Sequence, residues 1–96
     1  MQTMPKPLDF GKVEVLRRHM LLTTHDISKV LGVSRVTYYG WLKGKKIRKG
    51  NEDFAKKRVR SLLAIMSEHN WPTPEIIGMD QKGRSKRLLE LLEFYN

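Results

Sequence analysis

Between Leu22 and Lys45 the chain reads LTTHDISKVLGVSRVTYYGWLKGK, and this stretch limits the choice of fold more than any other. Two short runs with helical spacing carry the same punctuation. Thr23 is placed as a helix N-cap, with Asp26 three residues on as a short version of the capping box. Ile27, Val30 and Leu31 then form one buried stripe, and Gly32 stops the run as a C-terminal glycine does. Val33 plugs the turn into the core. Ser34 caps the next run, which extends to about Lys43. In it Tyr38, Trp41 and Leu42 stand at i, i+3 and i+4 and share a buried face, before Gly44 closes it. Helices of about two turns are not stable alone, so the rest of the chain has to supply their packing partners.

Those partners read as helices too. Asp9 caps a helix from Phe10 to about Met20, with Phe10, Val13, Leu16 and Met20 on one face and Arg17 and Arg18 near the end that favours positive charge. Asn51 caps a fourth helix, with Glu52 and Asp53 in its first turn. Phe54, Ala55, Val59, Leu62, Leu63 and Met66 make its inner face; Lys56, Lys57 and Arg60 lie outside. Trp71-Pro72-Thr73-Pro74 cannot continue it, so it ends near His69. Pro74 opens a short helical turn through Ile76 and Ile77, closed by Gly78. Gln81 to Gly83 is a turn, and a last helix from about Ser85 to Tyr95 sets Leu88, Leu91, Leu92 and Tyr95 along one face. No strand pattern and no internal repeat stands out. The expected class is all-α, a compact bundle of about five helices. Its parts are a loose N-terminal tail over 1–8, a core over 9–70 and a C-terminal helical extension over 71–96.

Length and composition narrow the chemistry. A chain of 96 residues is one domain, with no room for both a core and a large buried cleft. Cysteine is absent, which removes disulfides and thiolate metal sites. His19, His25 and His69 show no paired metal spacing, so neither a metal nor another cofactor is expected. No nucleophile motif and no phosphate-cradling glycine loop is present, and the chain does not read as an enzyme. No apolar run approaches a membrane span, and the first residues lack the apolar core of a signal peptide. The expectation is a cytoplasmic protein with no membrane partner.

The formal net charge is +9, and its location says more than its size. Residues 1–33 hold five basic and three acidic side chains, residues 34–60 ten and two, and residues 61–96 four and five. Nearly all the excess sits in the middle of the chain, as in a docking surface for a polyanion.

Two short helices joined by a tight glycine turn, the second followed by a basic segment, is the helix-turn-helix plan. Ser28 supplies the small residue where the helices cross, Gly32 the turn, and Ile27, Leu31, Val33, Tyr38 and Trp41 the apolar lock. Gly32-Val33-Ser34-Arg35, then Thr37, Trp41-Leu42 and Gly44-Lys45, resembles the lambda-repressor-like, Cro-type helix-turn-helix family. The resemblance is close over about a quarter of the chain. It implies a compact, often dimeric bundle that binds duplex DNA at operator-like sites, with the second helix in the major groove. Carried over by position, Ser34, Arg35, Val36, Thr37, Tyr39, Gly40 and Lys43 form the DNA-facing side. Arg35 is the first candidate for reading a base, since a guanidinium can make two bonds to guanine. Thr24 contacts a phosphate at the start of the preceding helix. Lys45, Lys46, Arg48 and Lys49 hold the backbone without reading sequence. Tyr39 reads equally well as an ordinary exposed aromatic.

The function implied is a sequence-specific regulator of transcription, a repressor or activator of phage or plasmid type. Two alternatives use the same motif: a packaging or assembly protein that marks DNA, like a terminase small subunit, and a scaffold that binds a protein such as RNA polymerase or another regulator. The last helix has two readings, packing on the core or contact with a second copy in a homodimer.

Overall fold

In the computed structural model, which describes residues 8–95, five of the six α-helices start on a side chain that satisfies their first free N–H groups. The Asp9 carboxylate accepts from Gly11 and Lys12 at the head of α1 (Phe10–His19). Thr23 and Asp26 complete a reciprocal capping box on α2 (Thr24–Leu31). Ser34 caps α3 (Arg35–Leu42). Thr73 caps α5 (Pro74–Gly78), with Pro74 at the position where its missing N–H costs nothing. Asp80 caps α6 (Gln81–Leu92). Each such cap contributes about 1 kcal/mol. Only α4 (Lys49–Glu68), the longest, has no side-chain cap. A 3-10 turn over Glu93–Tyr95 follows α6. No strand occurs among the described residues. Of the tail expected over 1–8, residues 1–7 lie outside the described residues.

Three boundaries and faces differ from the sequence reading. Six α-helices lie among the described residues, the short turn opened by Pro74 being one of them. α4 begins at Lys49, ahead of the expected Asn51 cap, so Lys49 and Gly50 are helical. α6 begins at Gln81, where a turn was expected. Gly83 is the reason for the misreading: it looks like a turn residue, but a Cβ there would sit 2.9 Å from the capping oxygen of Asp80. The glycine makes room for a cap. On α4 the buried stripe is Ala55, Leu62 and Ile65, with Val59 and Met66 half-buried. Leu63 is 45% and Phe54 41% exposed. The Phe54 ring instead lies against Gly32, 3.1 Å from where a Cβ would be, under the Arg58 guanidinium.

The core runs through the whole chain. Met20, Ile27, Tyr38, Leu62 and Ile65 are sealed from solvent, and Trp71, Ile76, Leu88 and Leu92 from the last third join the same cluster. Two buried polar links hold that last third in place. Trp71 Nε1 donates to the Met20 carbonyl at 2.7 Å, tying the α4–α5 connection to the end of α1. The Asp26 carboxylate, 7% exposed, accepts from Thr23 N at 2.9 Å, Gln81 Nε2 at 2.6 Å and Ser85 Oγ. One side chain thereby caps α2 and anchors α6. Burial by itself would raise the Asp26 carboxyl, but the bonds from Ser85, Thr23 and Gln81 together outweigh it and hold the group below the ordinary aspartate value. Of the last helix's apolar face, Leu88 and Leu92 are buried, while Leu91 and Tyr95 pack more loosely; Tyr95 donates its hydroxyl to Glu68.

Candidate nucleic-acid interface

The α2–α3 pair is built from two identical stops. α2 ends with Gly32 at φ 75°, its N–H on the Lys29 carbonyl and the Val33 N–H on the Ser28 carbonyl. α3 ends with Gly44 at φ 93°, its N–H on Trp41 and the Lys45 N–H on the Gly40 carbonyl. Both are Schellman closures, whose left-handed residue suits glycine. Between them Ser34 accepts from the Thr37 N–H at 3.1 Å and donates to the Thr37 hydroxyl at 3.0 Å. Ser28 is buried and donates to the Thr24 carbonyl at 2.6 Å, so its hydroxyl is satisfied within α2.

The inner side of α3 is fixed to α1. Phe10 packs on Trp41 at 5.1 Å and edge-on to Tyr38 at 6.5 Å. The Tyr38 hydroxyl donates to Glu14 at 2.8 Å. Arg17 grips the same carboxylate with two N–H groups, at 2.7 and 2.9 Å, and its third donates to the Leu22 carbonyl at 2.9 Å. The Arg17 hydrogen bond holds the Glu14 carboxyl below its usual range against the opposing effect of burial. Burial, then the bond to Glu14, pushes the Tyr38 phenol well up. The sequence reading placed Tyr38 and Trp41 in the core and both are there. It missed Glu14 as the acceptor of the Tyr38 hydroxyl and Arg17 as the partner of Glu14; the only signal was an acidic residue at i and a basic one at i+3 on α1.

With that side locked, α3 offers one outward arc. Arg35, Val36, Tyr39 and Lys43, at i, i+1, i+4 and i+8, are all exposed, Val36 at 79%. Ser34 and Thr37 are exposed at the head of the helix, but their hydroxyls are engaged with each other. Tyr39 donates its hydroxyl to Thr24 Oγ1 at 3.0 Å, which brings these two expected contact residues together across the helix pair. Gly40, expected on the DNA-facing side of the helix, is buried. The Schellman closure folds Lys45 back so that its stem covers Gly40, with Cδ 3.0 Å from where a Cβ would be.

A prediction follows for Gly40→Ala. The atom in the way is on a flexible stem that can shift by a few tenths of an ångström, and alanine is favoured over glycine mid-helix by about 1 kcal/mol. The variant should unfold at a higher temperature than the natural chain. A lower midpoint in a thermal melt would show that the Lys45 stem cannot yield.

The basic segment lies directly beyond α3. Lys45, Lys46, Arg48 and Lys49 are exposed, while Ile47 packs against the core and pins the loop between them. Lys49 stands in the first turn of α4. On the other side of α3 a groove of about 320 Å³ is lined by His25, Ser28, Lys29, Val33, Ser34 and Arg35. His25 and Lys29, at i and i+4 on the exposed side of α2, thus share a groove with Arg35. Neither was picked from the sequence, although their spacing on one face was visible there. Lys56 is held by Glu52 at 3.5 Å.

Among the described residues no group of three or more histidine, aspartate or glutamate side chains is placed to hold a metal ion, and no helix is long and apolar enough to cross a membrane. No protein-family model, no curated protein and no solved structure matches this chain.

Proposed function

We propose that the chain binds duplex DNA as a helix-turn-helix and regulates transcription by occupying a promoter or operator. The observation that carries the reading is the outward arc of α3. A helix fixed by its buried face, with Arg35, Val36, Tyr39 and Lys43 exposed and a basic run at its end, has the shape and charge that major-groove entry requires. Arg35 is the base-reading side chain in this proposal, and Val36 the contact for a thymine methyl. Lys43, Lys45, Lys46, Arg48 and Lys49 hold phosphates, with Lys29 added from the α2 side. Thr24 and Tyr39 act together, one hydroxyl positioning the other for a phosphate oxygen. Gly40 has no contact role. The chain itself performs no chemistry on the DNA.

Selection of bound sequences from a random duplex library, followed by salt titration, tests the proposal. Arg35→Ala should weaken the selected site by roughly 1–3 kcal/mol while leaving random DNA little changed. Lys46→Ala with Arg48→Ala should weaken both equally and lower the slope of log K against log salt by about 1.8, from about 0.9 per phosphate contact. Equal losses on both DNAs for Arg35→Ala would remove its reading role. An absence of any duplex binding at low salt would end the proposal and leave the exposed arc to a protein partner.

A further inference from the structure

Where α6 lies along α2, the two helices are joined by polar bonds. The Asp26 carboxylate accepts from Gln81 and Ser85, and these short, almost dry links fix the distance between the helices. Beside them a cleft of about 360 Å³ stays open, at the small end of the roughly 300–1,000 Å³ typical of small-molecule sites. Its lining is of two kinds. Val30 and Leu88, both buried, and the half-buried Leu89 give an aliphatic surface without an aromatic ring. Lys29 from α2 and Lys82 from α6 stand at the cleft from opposite walls, with His25 on the α2 side. All three are exposed, and none has an ion-pair or hydrogen-bond partner among the described residues. The one acid in the lining is Asp26, whose oxygens are already engaged by Thr23, Gln81 and Ser85. A cation finds no uncommitted carboxylate there. Two lysines against one aspartate leave the lining with one positive charge in excess, which a monoanion balances.

We infer that this cleft binds a small aliphatic monocarboxylate. The carboxylate lies between the Lys29 and Lys82 ammonium groups, held from both walls. The chain runs over Val30, Leu88 and Leu89, where it leaves water for an apolar surface. The walls are set before the ligand arrives, because Asp26, Gln81 and Ser85 already hold them, so binding has little protein ordering to offset. His25 and Lys29 also line the groove beside Arg35, so a carboxylate in the cleft and a phosphate on the α3 side draw on the same lysine. That consequence rests on the DNA-binding reading; occupancy of the cleft does not, and it is measured on the protein alone.

The test is titration of octanoate, below its micelle-forming concentration, into the full chain without nucleic acid, followed by the amide shifts in NMR spectra. Octanoate should saturate a single site, with the shifts concentrated on residues 25–30 and 81–89. Octanol has the chain without the charge and should bind roughly fivefold more weakly, the sum of two solvent-exposed ion pairs. Acetate has the charge without the chain and should not saturate the site. Lys29→Ala with Lys82→Ala should bring octanoate down to the affinity of octanol and leave octanol unchanged. Leu89→Gln should weaken both. Both lysines are exposed and Leu89 is half-buried, and the amide spectrum of each variant reports directly that it is folded. No saturable octanoate binding, shifts centred elsewhere, octanol or acetate binding as tightly as octanoate, or undiminished octanoate binding by the double lysine variant would each overturn the inference. None of these results bears on whether the chain binds duplex DNA.

Discussion

Asp26→Asn is expected to cost about 2–3 kcal/mol of stability near neutral pH, the range for losing charged hydrogen bonds and stranding a buried donor. The carboxylate receives bonds from Thr23 N, Gln81 Nε2 and Ser85 Oγ in a site almost closed to solvent. An asparagine of the same shape has one acceptor oxygen, and its amide N–H groups would face a donor. The pH profile gives a second signature. The folded carboxyl titrates below the ordinary value of 3.8, so the unfolded chain takes up the proton first. The contribution is therefore complete above that value and is lost as pH falls through the lower folded value. Glu14, also held low, behaves in the same sense. Denaturant unfolding of Asp26→Asn across the acid range should show a shallower decline than the natural chain, with the remaining decline carried partly by Glu14. Identical acid limbs for the two proteins would show that Asp26 is not the linked group.

Trp71→Ala is the other large effect, about 3–5 kcal/mol for removing a buried aromatic. Trp71 is 3% exposed and is bonded to Met20 through its indole N–H. Trp71→Phe separates the two contributions, because it keeps most of the volume and leaves the Met20 carbonyl without that donor. It should cost clearly less than Trp71→Ala, and more than the usual 1 kcal/mol or so of a single hydrogen bond if the carbonyl stays dry. Urea midpoints followed by circular dichroism will rank the three proteins. Equal losses in the two variants would mean that the hydrogen bond and not the ring volume fastens the α4–α5 connection.

What could be read from the sequence was local. Thr23 with Asp26, Gly32, Ser34 and Gly44 carry their meaning within a few residues, and the structure has all of them as caps and stops. The buried faces of α1, α2 and α3 followed from spacing alone. α4 was harder because Leu62-Leu63-Ala64-Ile65-Met66 is apolar throughout. Periodicity cannot choose a face within such a run, so Ile65 was overlooked and Leu63 was taken as buried. Its start was misplaced because Arg48 provides no capping bond, whereas Asn51 has the chemistry of a cap. The burial of Gly40 could not be read either, since it depends on the path of Lys45 after the helix has ended. The buried polar pairs were out of reach for a different reason. Tyr38 with Glu14, Trp71 with Met20, and Asp26 with Gln81 and Ser85 join residues between 24 and 59 positions apart, and no local pattern names such a partner.

The Asp26 anchor also bears on how this sequence can drift. A capping aspartate on a short helix is ordinarily exchangeable for glutamate, glutamine or asparagine. Here the same side chain is shared with α6, so a replacement at 26 that suits α2 still deprives the Gln81 amide of its acceptor and Ser85 of one of its two. Diverging copies of the gene are therefore constrained to alter positions 26, 81 and 85 in concert, while the neighbouring exposed positions 25, 29 and 82 are free to vary singly as far as the fold is concerned. Three sites scattered through the chain form a single heritable unit.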